Sequence, residues 1–190
     1  MTRPAVFLDR DGTLIEEHGY LDRLDLLSIF PWTADALRLL TRAGFATVVI
    51  TNQAAVGRGI IDEAFLHEVH DEISARLARG GAVIDAYYHC PHAPDAKIEP
   101  YRQICRCRKP APGLIERACR EMDLDPARSV MVGDRWLDVG CGRAAGTRAI
   151  LVRTGHGAHE ADVPPGDLRA DAILNNLMEA AGWILRNSSR

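Results

Sequence analysis

Two carboxylates stand two residues apart in the run Phe7-Leu8-Asp9-Arg10-Asp11-Gly12-Thr13, and they leave a short apolar segment close together. Like charges so placed repel. A hard cation such as Mg²⁺, which accepts carboxylates together with water and phosphate oxygens, would let both stay ionised. Gly12 lets the chain turn sharply behind them. An Asp-rich turn requires no more than this, since Asp and Gly are common after strands. Further groups argue for chemistry in combination. Ile50-Thr51-Asn52-Gln53 ends a second apolar run with a hydroxyl and amides able to hydrogen-bond a phosphate at Asp9. Lys109 follows in Arg108-Lys109-Pro110, and Gly133-Asp134-Arg135 ends a third run with Asp138 close behind. Each alone is more readily read as structural than functional; together, Asp9, Thr51 and Asp134 fall at predicted strand ends.

A second constellation is Cys90-Pro91-His92, then twelve residues, then Cys105-Arg106-Cys107. Three thiolates and one imidazole form a closed tetrahedral donor set, the kind that holds structural Zn²⁺. A single residue between ligands is tighter than the common spacing. The alternative is a Cys90 buried at a strand end with an incidental pair downstream. With no open coordination position, zinc here would fold the loop and would fix Arg108 and Lys109, the next residues along.

Positioning these groups falls to alternating strands and helices. Residues 5–8, 47–50, 130–132 and 149–152 read as strands buried on both faces. Thr33 is placed to cap a helix through Leu40 that stops at Gly44, and Asp62 to cap one reaching Arg79 before Gly80 and Gly81. The order implies an α/β fold: an open three-layer sheet, mostly parallel, with helices on both faces and ligands beyond the carboxyl ends of the strands. Residues 16–30 and the proline-rich stretch 90–112 do not fit the alternation, and long loops in compact folds usually carry function. Residues 173–190 read as a short strand end and a last helix.

The 190 residues suit one domain, 1–190, with an average globular composition of 47% apolar and 26% charged residues. A net charge of −3 disfavours a nucleic-acid or anionic-membrane partner and favours a small metabolite. Five cysteines, an odd number with two of them one residue apart, suit a metal site in a reducing compartment better than a disulfide framework. The N-terminus lacks a signal-peptide pattern and the apolar runs are too short to span a bilayer, so a cytoplasmic protein, monomeric by default, is expected.

With its motifs in the order Asp9-Arg10-Asp11-Gly12-Thr13, Thr51, Lys109 and Asp134, the chain resembles the haloacid dehalogenase superfamily of phosphatases over nearly its whole length. The resemblance implies that Asp9 forms an aspartyl-phosphate, that Asp11 acts as general acid and base, and that Thr51 and Lys109 hold the transferring phosphoryl group. It implies that Asp134 completes a Mg²⁺ site with the Asp9 side chain and the Asp11 main-chain carbonyl. The stretch Cys90-Pro91-His92 with Cys105-Arg106-Cys107-Arg108-Lys109-Pro110 resembles the zinc loop of the D-glycero-D-manno-heptose 1,7-bisphosphate 7-phosphatase family. His18-Gly19-Tyr20, Thr51-Asn52-Gln53, Arg58-Gly59 and Leu151 to Gly155 resemble it too. That likeness implies release of the 7-phosphate in the synthesis of lipopolysaccharide or surface-glycan precursors, no separate cap domain, and sugar contacts from Glu17, His18, Gly19, Tyr20 and Arg108. Asn52, Gln53 and Arg135 are further candidate contacts. The chain departs from the family pattern at Ala54 and Ala55, where Ser-Gly is common, and at Arg135, where Lys is frequent. A histidinol-phosphate or other small-metabolite phosphatase is the rival activity, and a silent zinc-loop binding module the rival of another class.

Other features are read as structural. His67 and His70 are three apart, not the four of a zinc-protease helix, and suit a solvated helix face. Cys119 and Cys141 read as small core residues. Trp32, Trp136 and Trp183 read as packing residues, with Trp136 able to border the site.

Overall fold

The structure, a computed structural model, describes residues 2–188; Met1, Ser189 and Arg190, the ends of the expected 1–190 unit and of its 173–190 tail, lie outside the described residues. In chain order it runs β1 (Ala5–Leu8), α1 (Thr33–Arg42), β2 (Ala46–Asn52), α2 (Ala54–Gly57), α3 (Glu63–Arg79), β3 (Ala86–Cys90), α4 (Gly113–Met122), β4 (Val130–Gly133), α5 (Trp136–Ala144), β5 (Arg148–Val152), α6 (Gly157–Glu160), β6 (Ala172–Leu174) and α7 (Leu177–Asn187). The six strands form one sheet in the order β3-β2-β1-β4-β5-β6, and every pairing is parallel, where a mostly parallel sheet was expected. The chain starts in the middle, works outward to β3, and returns to β4 on the other side of β1. That reversal puts a crevice at the carboxyl ends of β1, β2 and β4.

Continuous apolar runs make the central strands because both faces are covered. Val6, Leu8, Val49, Val130, Val132, Ile150 and Val152 point to one face, where Leu37 and Leu40 of α1, Ile73 of α3 and Ile184 of α7 cover them. Phe7, Val48, Ile50 and Met131 point to the other, against Leu114, Ile115 and Ala118 of α4, while Ala149 and Leu151 meet Val139 of α5. Burying a Leu or Ile side chain this fully is worth about 1.5–3 kcal/mol, so the strand ends that carry the polar groups are anchored by the sheet behind them.

Several local expectations need correction. Thr33 begins α1 but does not cap it; its hydroxyl donates to the Leu14 carbonyl at 2.9 Å and ties the helix to the turn after β1. Asp62 does cap α3, accepting from the Phe65 amide at 2.7 Å. The α3 face is not wholly solvated: His67 is exposed, but His70 is buried, stacked 4.4 Å from the Tyr87 ring, where burial pushes its imidazole down to about 3. Trp136 does not border the crevice and packs with Val139, Ala149 and Leu151. The stretch 16–30 holds one 3-10 turn, Leu24–Leu26, and a single bridge from Ile29 to Ile15, and the stretch 90–112, after the end of β3 at Cys90, holds one 3-10 turn, Glu99–Tyr101. No helix among the described residues is long and apolar enough to cross a membrane.

Candidate active site and metal centre

The crevice holds a cavity of about 390 Å³ lined by residues from every segment that meets there, among them Asp9, Asp11, Thr51, Lys109 and Asp134. Asp9 lies at the end of β1, with its Oδ1 accepting from the Arg10 amide at 2.8 Å and standing 2.7 Å from Lys109 Nζ. Lys109 is fully engaged: Nζ is 2.6 Å from Asp138 Oδ1 and donates to the Ile50 carbonyl at 2.9 Å. Its backbone is clamped by one side chain, since Asn52 Oδ1 accepts from Lys109 N at 3.0 Å and Asn52 Nδ2 donates to Lys109 O at 3.2 Å. Burial alone would push the ammonium down, but Asp138 and Asp9 outweigh it and hold the charge above its ordinary range. Asp138 also accepts from the Arg135 amide at 3.0 Å, which caps α5. Gly133 makes that approach possible, because a Cβ there would lie 2.4 Å from the Asp138 side chain.

Asp9, Asp134 and Asp138 bring carboxylate oxygens within 4.8 Å of one another in a buried cluster, with Lys109 the cation bridging two of them. Burial is the chief cause that pushes the Asp9 carboxyl up to about 7; Lys109 opposes it, and Asp138 and Asp11 add to it. Asp134 is pushed up to about 8, by burial first and then by Asp9 and Asp138. Its Oδ2 accepts from the His156 amide at 2.7 Å, whereas its Oδ1 is buried with no hydrogen-bond partner among the described residues. Three hard oxygen donors, one of them orphaned, and too little positive charge are what a divalent cation of the Mg²⁺ type satisfies. Gly12, at a φ of 73°, and Thr154, whose hydroxyl donates to the Gly12 carbonyl at 2.6 Å, close the loops over this cluster.

Asp11 points elsewhere. Its carboxylate accepts from Arg10 Nη2 at 2.9 Å, from Arg10 Nε at 3.1 Å and from Gln53 Nε2 at 2.9 Å. Gln53 also donates to the Thr51 hydroxyl at 2.8 Å and accepts from Arg10 at 3.1 Å. The amides of Asn52 and Gln53, which also line the cavity, are engaged by the protein: one pins Lys109, the other orients Asp11 and Thr51. Glu17, Gly19, Tyr20, Arg108 and Arg135, the candidate sugar contacts, line the cavity, and so do Ala54 and Ala55. His18 is not among the lining residues; its ring lies 3.6 Å from Glu16. The sequence reading gave no role to Arg10, Arg58, Leu137 or His156, which also line the cavity. Arg10 and Arg58 were visible as cations within quoted motifs; nothing in the sequence marked Leu137 or His156.

Beside Lys109, Cys90 Sγ, His92 Nδ1, Cys105 Sγ and Cys107 Sγ converge. The edges between them run from 3.1 Å for Cys105 to Cys107 through 3.2 Å for Cys107 to Cys90 and to His92, up to 3.5 and 3.6 Å from Cys90 to Cys105 and His92. A tetrahedral zinc with sulfur ligands at about 2.3 Å has sulfur–sulfur edges of about 3.8 Å, so the three thiols need to open by about 0.3 to 0.7 Å from one another. All five cysteines are free thiols. Arg108 Nη1 donates to the His92 carbonyl at 2.9 Å, which links the cluster directly to the cavity wall. A larger groove, about 1120 Å³, runs along the outer edge of β3 past His67, His89 and Arg117 and contains none of Asp9, Thr51, Lys109 or Asp134.

Residues 106–180 match the HAD-hydrolase-like family model. The chain is 40% identical over 178 residues to the D-glycero-beta-D-manno-heptose-1,7-bisphosphate 7-phosphatase of Escherichia coli K12, covering 93% of this chain and 91% of that one. It is 37% identical to the Haemophilus ducreyi enzyme of the same name over 186 residues, 97% of this chain and 100% of the relative. Among solved structures, the D,D-heptose 1,7-bisphosphate phosphatase of B. bronchiseptica, complexed with magnesium and phosphate, superposes with a TM-score of 0.84 at 32% identity, over 96% of this chain and 98% of that one.

Proposed function

The chain belongs to the HAD-like hydrolases and, within them, to the family of D-glycero-beta-D-manno-heptose-1,7-bisphosphate 7-phosphatases, and from that membership we propose that it hydrolyses the 7-phosphate of this sugar bisphosphate. The observation that carries the reading is the convergence of Asp9, Lys109 and Asp134 at the carboxyl ends of the central strands, facing a cavity that also holds Arg58, Arg108 and Arg135.

Asp9 is the nucleophile. Its Oδ1 is taken by Lys109 and the Arg10 amide, which leaves Oδ2 to attack phosphorus as the bond to the sugar oxygen breaks. Asp11 gives its proton to the departing alkoxide. It then takes one from water, whose oxygen attacks the aspartyl-phosphate and frees phosphate and the Asp9 carboxylate. Lys109 and the Thr51 hydroxyl hold the phosphoryl oxygens, and Asn52, Gln53 and Arg10 act behind them by fixing Lys109, Thr51 and Asp11. Mg²⁺, held by the Asp9 and Asp134 carboxylates and the Asp11 main-chain carbonyl, would supply positive charge against the phosphoryl oxygens and keep Asp9 ionised. Zn²⁺ at Cys90, His92, Cys105 and Cys107 would fix the loop that carries Arg108 and Lys109. Glu17, Gly19, Tyr20, Arg108 and Arg135 contact the sugar bisphosphate. We assign the protein to the cytoplasm, as a monomer with one domain over 1–190, serving lipopolysaccharide or surface-glycan precursor synthesis.

A panel of phosphorylated metabolites assayed with Mg²⁺ and then with EDTA tests this. The heptose bisphosphate is expected to give the highest kcat/KM, abolished by EDTA. Preference for histidinol phosphate would overturn the substrate, and silence across the panel would favour a binding module.

A further inference from the structure

A bisphosphate brings a second anion into the cavity that holds Asp9, and that anion needs its own cations. Lys109 is committed to Asp9 and Asp138, Arg10 to Asp11 and Gln53, and Arg135 lies 3.5 Å from Glu160. Arg58 differs in its partner. Its Nε and Nη2 grip Asp95 through contacts of 2.8 to 3.2 Å, and Asp95 is an exposed acid of the cysteine-bearing loop, its side chain 65% accessible. The remaining nitrogen, Nη1, donates to the Tyr20 hydroxyl, and the guanidinium lies 5.8 Å from the Tyr20 ring centroid. The hydrogen bonds from Arg58 hold the Asp95 carboxyl below its ordinary range, and Arg108 lines the same cavity as Arg58. The segment carrying Arg58 is stitched to that loop, because the Gly57 carbonyl accepts from Lys97 N and Ile98 N at 2.9 and 3.0 Å.

One guanidinium of the cavity wall thus forks onto an exposed carboxylate, and a second, that of Arg108, lines the same cavity. A fork that fits two carboxylate oxygens also fits two phosphate oxygens, and an exposed ion pair is weak enough to be exchanged for a doubly charged group. We propose that Arg58, with Arg108, binds the non-reacting phosphate of the substrate, and that Asp95 holds that phosphate's place in the free protein. The proposal rests on the bisphosphatase reading above and makes Arg58 a specificity-determining residue, with Asp95 an internal competitor.

The test compares wild type, Arg58→Ala and Asp95→Asn on the heptose 1,7-bisphosphate and on the heptose 7-phosphate, which lacks the second anion. Arg58→Ala is expected to raise KM for the bisphosphate at least about tenfold, with kcat and the monophosphate KM changed by less than about twofold. Asp95→Asn is expected to act in the opposite direction and lower the bisphosphate KM, a result that does not depend on how well Arg58→Ala folds. If the pair merely stiffens the loop, both substitutions will weaken both substrates alike; that outcome overturns the proposal. So does an Arg58→Ala protein that keeps the wild-type preference for the bisphosphate. A wild-type protein that hydrolyses neither heptose overturns the functional reading itself, and the proposal falls with it.

Discussion

Asp11 receives three N–H donors from Arg10 and Gln53 and stands outside the cluster of Asp9, Asp134 and Asp138. The two carboxylates of the first motif therefore occupy different environments. Asp9 lies buried between a lysine and its fellow acids; Asp11 is steered by side chains that set its direction. Replacing Asp11 by Asn keeps the shape and removes the proton. Phosphate binding should persist while turnover falls at least about 10²-fold, as read by steady-state kinetics together with phosphate titration; near-normal turnover would remove Asp11 from the mechanism. The departures at Ala54 and Ala55 remove a hydroxyl and a glycine from the cavity wall without touching this machinery.

Two elements set the geometry, the sheet and the cysteine-bearing loop. The loop delivers Lys109 to Asp9 through Asn52, which grips both backbone polar groups of Lys109, and through Arg108, which reaches back to His92. Cys107→Ser should lower bound zinc well below one per chain, by metal analysis, and lower activity with Asp9 untouched; full activity in a zinc-free protein would separate the loop from the site. The four central strands were legible because a parallel strand buried on both faces is an unbroken apolar run. The two edge strands were less so. β3, Ala86–Cys90, is aromatic and half-covered, and surfaced in the sequence only as a place where Cys90 could end a strand; β6 surfaced only as a strand end near 173. Asp9, Thr51, Lys109, Asp134 and the four zinc-type ligands were legible by residue type and order. The work of Asn52, Gln53 and Asp138 was not, because a side chain that orients another carries no spacing signal. His70 was misread since the helical period alone does not say that β3 and Tyr87 lie over it.

At the scale of the molecule, a parallel sheet whose strand order reverses at β1 brings three strand ends and two long loops to one crevice, and the crevice concentrates buried negative charge. That charge ties protons to stability and sets what a cation there would do. Asp9 and Asp134 ordinarily titrate near 3.8 and are pushed up to about 7 and about 8, so without a cation the folded protein binds more protons than the unfolded one. Their stabilising contribution is complete below about pH 4 and is lost as pH rises through 7 to 8. A bound divalent cation removes that loss by stabilising the ionised forms. The Tm difference between Mg²⁺-loaded and EDTA-treated protein should therefore widen from pH 5 to pH 8.5; a difference that is constant or narrows would argue against a cation among these acids. The central claim, that Asp9 takes the 7-phosphate of a heptose bisphosphate, is tested most directly by following ³¹P resonances of D-glycero-beta-D-manno-heptose 1,7-bisphosphate with the protein and Mg²⁺. The account predicts loss of the 7-phosphate signal and growth of inorganic phosphate, with the 1-phosphate intact and no change with Asp9→Asn. Loss of the 1-phosphate first, or unchanged turnover by Asp9→Asn, would contradict it.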